Sequence, residues 1–225
     1  MVKKKKKRVF KIRNIIIILV VFFVVSGIIY YFLSMPVKNI YVIGNDIVSD
    51  EEILSLAGLD DYPSFILSNR GHIKRSVLNN KYVNSVNVDK KIGNIIEVEI
   101  VENKVLASDG SGNAILSNGS VLENNYNIFD VPRLINNISD FDIGEFSLKF
   151  SRVDSNILRQ ISEIEYSPLD VDGDRFLLYM NDGNFVYVTL TKIEKLNKYN
   201  DIKDELLDRK GIIYLDSGDY VEVKG

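Results

Sequence analysis

"NIYVIGNDIVSDEEILSLAGL", Asn39 to Leu59, reads as a short strand, a tight turn and a helix with unusually complete start chemistry. Val37 to Ile43 is rich in β-branched and aromatic residues, as a strand requires, and Gly44-Asn45 is a turn pair. Ser49 stands at an N-cap position with Glu52 three residues on, the spacing of a capping box, in which each side chain satisfies an otherwise unpaired backbone N–H. Val48 and Ile53 take the two positions of a hydrophobic staple, while Asp50 and Glu51 suit the positive end of the helix. Ile53, Leu56 and Ala57 give the helix one apolar face, and Gly58 offers its stop. The acidic run is therefore first-turn helix chemistry rather than a metal or acid–base site.

This unit begins only six residues after an apolar run. Ile15 to Leu33 holds 19 residues without a charge, about what a helix needs to cross a ~30 Å hydrocarbon core. Tyr30 and Tyr31 sit near its far end, where amphipathic rings favour the interface. A cleaved signal peptide would have a shorter apolar core and a small-x-small cleavage site, which "SMPVKN" lacks, so an uncleaved anchor is expected. Eight basic residues (Lys3 to Lys7, Arg8, Lys11, Arg13) and no acid precede the run, which places residues 1–14 in the cytoplasm and the rest across the membrane. Beyond the basic tail the chain carries 20 basic against 31 acidic residues, a net charge of −11 that disfavours nucleic acid as a partner.

On the other side of the opening stretch, "NRGHIKRSVLNN" predicts a second helix packing Ile73 and Val77, and Tyr82 to Val88 a strand. "KKIGN" makes a turn. In "IIEVEIVEN", Ile96, Val98 and Ile100 alternate with Glu97 and Glu99, the clearest strand in the chain. The order β-α-α-β-β from 37 to 103 is the size of one small domain.

Nearer the C-terminus, Asn118-Gly119 and Asp182-Gly183 each lie between apolar arms as hairpin turns. Val153, Ile157, Ile161 and Ile164 have the spacing of an amphipathic helix. Thr191 and Glu194 read as a capping box opening a helix to about Arg209, with Gly211 as its end, and "IIYLDSGDYVEV" gives two final strands around a polar turn. The expected class is α+β, with mainly antiparallel pairing in the distal part.

Candidate chemistry is sparse. With no cysteine there is no thiolate site or disulfide, and His72, the single imidazole, lies on a polar helix without a serine motif. "DVDGDR" places Asp170, Asp172 and Asp174 at alternate positions, but the glycine is displaced and Asn181 stands at the closing Glu position of a calcium loop, so a turn is expected. "SDGSG" lacks the Lys and helix of a phosphate loop. Asn118-Gly-Ser and Asn137-Ile-Ser match the glycosylation sequon. No catalytic, cofactor-binding or metal residue is assigned, and no cofactor is expected.

"VKNIYVIGNDIVSDEEILSLAGL" and "YVNSVNVDKKIGNIIEVEIVENKVLA", as the opening and close of a β-α-α-β-β unit behind one membrane helix, resemble the POTRA domain of the FtsQ/DivIB family of bacterial division proteins. Gly93 stands where the family often has proline in the strand-to-strand turn. The resemblance implies a basic tail (1–14), a transmembrane helix (15–33), a POTRA domain (36–103) and a distal β-domain (104–225). It further implies a non-enzymatic, single-pass protein of the cell membrane at the division septum. Its partners would be FtsL-like and DivIC/FtsB-like bitopic proteins, and it would help regulate the septal peptidoglycan synthases. The residues corresponding to the family's partner-binding C-terminal strands are Tyr214, Leu215, Tyr220, Val221, Glu222 and Val223. The alternative is a membrane-tethered wall enzyme or ligand sensor, with the POTRA-like unit as spacer.

Overall fold

A computed structural model describes residues 12–137, 140–207 and 209–223. The basic stretch up to Lys11, and Ile138 and Ser139 of the second sequon, lie outside the described residues. Helix α1 (Ile12–Leu33) is long and apolar enough to cross a membrane, and none of its residues is buried by protein. The chain divides into two compact units. The first holds the residues up to Asn45, Ser49–Asn79 and Val86–Ile100; the second holds Asp46–Val48, Asn80–Ser85 and the residues from Val101 onward.

Strand β1 (Asn39–Ile43), helices α2 (Asp50–Ala57) and α3 (Arg70–Val77), and strands β2 (Val83–Lys91) and β3 (Ile95–Glu102) come in the expected order. The sheet runs β1-β3-β2, with β1 parallel to β3 and Ile40 opposite Ile96. Local chemistry sets each boundary. Ser49 Oγ accepts from Glu52 N at 3.2 Å, Val48 and Ile53 at the staple positions are both buried, and Gly58 closes α2 at φ 65°. Asn69 caps α3 by accepting from Gly71 and His72 N–H, and Ile73 and Val77 are buried as their spacing requires. Ile96, Val98 and Ile100 form the central ridge of the first unit's core. Gly44 is demanded twice over: its φ is 88°, and a Cβ there would lie 2.3 Å from the Ile100 carbonyl oxygen.

Glu102 has a role that alternation alone does not disclose. Its Oε2 accepts from Asp46 and Ile47 N–H at 3.0 and 2.8 Å, and its Oε1 from Val48 N–H at 2.8 Å. One carboxylate thus fixes the loop that presents Ser49 as a cap. Glu102→Ala strips three N–H groups of a charged acceptor and is expected to cost about 2 kcal/mol in urea unfolding, with Glu102→Gln losing less.

The second unit is a nine-stranded mixed sheet. Its strands are β4 (Val105–Ser108), β5 (Ala114–Leu116), β6 (Val121–Leu122), β7 (Arg133–Leu134), β8 (Ile161–Tyr166), β9 (Arg175–Met180), β10 (Phe185–Thr189), β11 (Gly211–Tyr214) and β12 (Tyr220–Val223), in the order β12-β11-β10-β9-β8-β7-β4-β5-β6. Antiparallel pairs predominate, but β4–β7, β7–β8 and β10–β11 are parallel. The Asn118-Gly119 and Asp182-Gly183 turns join β5 to β6 and β9 to β10, each glycine at positive φ. Residues 170–174 form the turn before β9. Helix α4 (Ile143–Phe150), capped by Asp142, brings Phe146 and Phe150 against Phe176 of β9.

Two helix expectations are corrected. Only Ser155–Leu158 of "VDSNILRQISEI" is helical (α5), and Ile161 and Ile164 belong to β8. A bulge between Ile161 and Glu163 shifts the register by one, so two residues three apart both face the core and imitate helical spacing. The predicted helix from Thr191 is a 3-10 helix (Leu190–Lys198) followed by α6 (Tyr199–Glu205). The capping box is not the start device: Thr191 N donates to Asp174 Oδ2 at 3.2 Å, and Glu194 pairs with Arg152 at 2.7 Å.

Candidate functional site

Strands β9 to β12 carry two different faces. Phe176, Leu178, Val186, Val188 and Ile213 point into the core, and Val221 packs partly against it. The alternate residues build a ladder on the other face. Tyr187, Tyr214 and Tyr220 are directly opposite one another on three consecutive strands. Their rings stack at 5.4 Å (Tyr187–Tyr214) and 4.5 Å (Tyr214–Tyr220) between centroids. The Arg175 guanidinium closes the inner end, 3.8 Å from the Tyr187 ring centre. Such cross-strand aromatic pairs stiffen a sheet beyond their area burial, so an edge strand bearing one holds its register.

Both ends of β11 are pinned. At its start, Gly211 N donates to Asn184 Oδ1 at 3.0 Å, and Asn184 Nδ2 donates to Tyr199 Oη at 3.0 Å. The Tyr199 hydroxyl in turn donates to Asp182, which Lys203 approaches at 3.2 Å. Burial works against the Asp182 charge, yet the Asn184 N–H, the Tyr199 hydroxyl and Lys203 together hold its carboxyl below the usual carboxylate range. Burial, with Asp182 adding to it, pushes the Tyr199 hydroxyl well up. At the far end, Leu215 N donates to Tyr187 O, and buried Asp216 pairs with Arg175 Nε at 2.9 Å. Lys192 Nζ donates to the Asp216 carbonyl, and Lys195 holds Asp219 at 2.7 Å, fixing the turn into β12.

Strand β12 ends the strand order, and among the described residues no strand pairs with its outer side. Gly211 lets it approach closely, since a Cβ there would stand 2.6 Å from the Glu222 carbonyl oxygen. Of the six residues singled out from the sequence, Tyr220, Glu222 and Val223 are exposed, while Tyr214 and Val221 are half-buried. Tyr214 Oη donates to Glu222 Oε2 at 3.3 Å; lost hydration, then the Glu222 charge, raises its pKa. Leu215 is different: at 3% exposure its side chain is part of the core, which makes it an anchor of the edge and not a contact surface. His72 is exposed on α3, and Asp109 spends its carboxylate on the Ser111 and Asn113 N–H groups of its own loop. Among the described residues no group of three or more His, Asp or Glu is placed to hold a metal ion.

The family model described as POTRA domain, FtsQ-type, matches residues 35–103. The cell division protein DivIB of Bacillus subtilis (strain 168) is 30% identical over 208 residues, 88% of this chain and 79% of that protein. This chain belongs to the DivIB family of cell division proteins. DivIB of Brevibacillus brevis is likewise 30% identical over 200 residues, covering 84% of this chain and 76% of its own length. The major extracytoplasmic domain of the trans isomer of DivIB from Geobacillus stearothermophilus matches at 25% identity with a TM-score of 0.38, covering 47% of this chain and 94% of that one.

In this DivIB-family chain the residues that sequence reading missed are Arg175, Tyr187 and Asp216. Tyr187 had a signal: in "FVYVT" it alternates with Val186 and Val188, so it had to face away from the core. Arg175 and Asp216 had none, because their meeting depends on which strands neighbour each other.

Proposed function

We propose that this cell division protein is a non-enzymatic, single-pass scaffold that docks an extended segment of a bitopic partner along β12. In this reading the basic tail is cytoplasmic, α1 is the anchor, residues 36–103 are the POTRA domain, and residues 104–225 present the docking edge at the septum outside the cell membrane. The partners are FtsL-like and DivIC/FtsB-like proteins, and their capture helps regulate the septal peptidoglycan synthases. The observation that carries the reading is the β12 edge: a short strand stiffened by the Tyr187–Tyr214–Tyr220 stack and open on one side.

Strand addition supplies affinity through main-chain hydrogen bonds, and the side chains flanking the added strand supply choice. Tyr220 and Glu222 offer a ring and a charge on one face, and Val223 an apolar contact at the strand end. Partners anchored in the same bilayer meet this edge at a raised effective concentration, so a short strand suffices. The test is Tyr220→Lys in the full chain. Capture of the FtsL/DivIC-like pair is expected to fall about tenfold or more, the loss of one interface anchor, while the melting temperature drops only slightly, by what the outermost ring of the stack contributes. If capture measured well below the melting transition is unchanged, or is lost only as the protein unfolds, Tyr220 is a packing residue and the edge assignment is wrong.

A further inference from the structure

Where the chain leaves α1, the first unit exposes a group of aliphatic side chains; Ile43, 48% exposed at the far end of β1, stands apart from it. Ile66 is 48% exposed, Leu67 66% and Ile92 fully exposed. Their level relative to the helix is fixed by hydrogen bonds. Val37 N donates to Pro63 O at 2.9 Å, Pro36 and Ser64 form an antiparallel bridge, and Phe65 N donates to Met35 O at 2.8 Å. Ser64 Oγ donates to the Leu33 carbonyl itself. Ser64 and Phe65 are thus held beside Leu33 and Met35, and Ile66 and Leu67 lie in the tight turn that follows directly, closed by Ser68 N donating to Ser64 O at 2.9 Å. The β2–β3 turn arrives there too: Asn94 Nδ2 donates to Pro36 O at 3.0 Å, and Gly93 and Asn94 line one depression with Tyr31 and Ser34. Ile92 precedes Gly93 in that turn.

Helix α1 has 22 residues, roughly 33 Å at the α-helical rise and close to the ~30 Å of a hydrocarbon core. Leu33 therefore marks the point where the chain enters the headgroup zone, and Tyr30 and Tyr31 stand at the depth that interfacial rings prefer. We infer that Ile66, Leu67 and Ile92 seat the first unit on the bilayer surface, dipping into the headgroup–acyl boundary around the helix exit. The occupant of this apolar patch is lipid because the helix that the patch adjoins carries the bilayer to it. Lys90 keeps the loop in place, its ammonium donating to the Phe65 carbonyl and lying 4.8 Å from the Phe65 ring centre. The inference rests on α1 spanning the membrane, and the test separates the two.

The chain has no tryptophan, so single tryptophans report without background. Leu67→Trp, Ile92→Trp and, as a reference inside the bilayer, Phe22→Trp are made in the full chain. Each is reconstituted in phosphatidylethanolamine–phosphatidylglycerol vesicles with plain lipids, lipids brominated near the glycerol, or lipids brominated near the chain ends. Phe22→Trp is expected to respond to the deep bromines. Leu67→Trp and Ile92→Trp are expected to lose about half their emission to the shallow bromines and little to the deep ones, as for side chains ~5–10 Å into the interface. Emission of both unchanged by bromine and open to aqueous iodide, with Phe22→Trp quenched, overturns the seating while leaving the anchor intact. Shielding that arises only when a partner protein is added also overturns it. Loss of quenching at Phe22→Trp overturns the anchor and the seating together.

Discussion

Asp216→Ala is expected to destabilise the second unit by about 3–5 kcal/mol, because it leaves the Arg175 guanidinium buried without its counter-charge. Arg175 and Asp216 side chains are 10% and 4% exposed, so water does not replace the lost carboxylate. The Tyr187 ring, 3.8 Å from the guanidinium carbon, offsets part of the loss but offers no hydrogen-bond acceptor in its plane. The cost appears as a lower urea midpoint of the full chain in detergent. The Arg175→Met, Asp216→Leu double variant, which removes both charges, is expected to recover most of it. Since Asp216 opens the turn into β12, the single variant also loosens the edge, and partner capture falls with stability.

Phe176→Ala is expected to cost a similar amount, about 3–5 kcal/mol, for a different reason. Its ring is fully buried among Phe141, Phe146, Phe150 and Tyr166, with centroids 5.3–5.9 Å away, and it joins α4 to the sheet. Truncation opens a cavity that Phe146, Phe150 and Tyr166, held by helix and strand backbones, cannot fill, and Phe141 in the bend before α4 covers only in part. The melting temperature is expected to drop by about 10 °C, and that of Phe176→Leu by about a third as much. Below its own transition the Phe176→Ala protein should still capture its partner normally, because Phe176 points away from the outer-face ladder. Together, the two variants separate what holds the unit folded from what holds its edge in place.

The parts legible in the sequence are those governed by near neighbours. Ser49, Glu52, Val48, Ile53 and Gly58 determine α2 through contacts close in the chain, and the alternation from Ile96 to Ile100 determines β3 by itself. The class and the hairpins at Asn118-Gly119 and Asp182-Gly183 come from the same local rules. What escaped was non-local. The bulge in β8 exists because of its pairing with β9, and without it Ile161 and Ile164 keep a helical spacing. The start of the 3-10 helix is set by Asp174, 17 residues before Thr191. The ladder from Arg175 to Tyr220 needs β10 to lie beside β11 in parallel, a crossover pairing that no local pattern encodes. The edge residues were named through family resemblance, and burial alone separates Leu215 from the rest.

The most direct measurement of strand docking is amide hydrogen exchange across β12, with and without the bound bitopic partner. Pairing along the open side predicts that amides within Tyr220–Val223 exchange more slowly in the complex, while those of β6, at the opposite end of the sheet, are unchanged. Unaltered exchange throughout β12 in a saturated complex would contradict it.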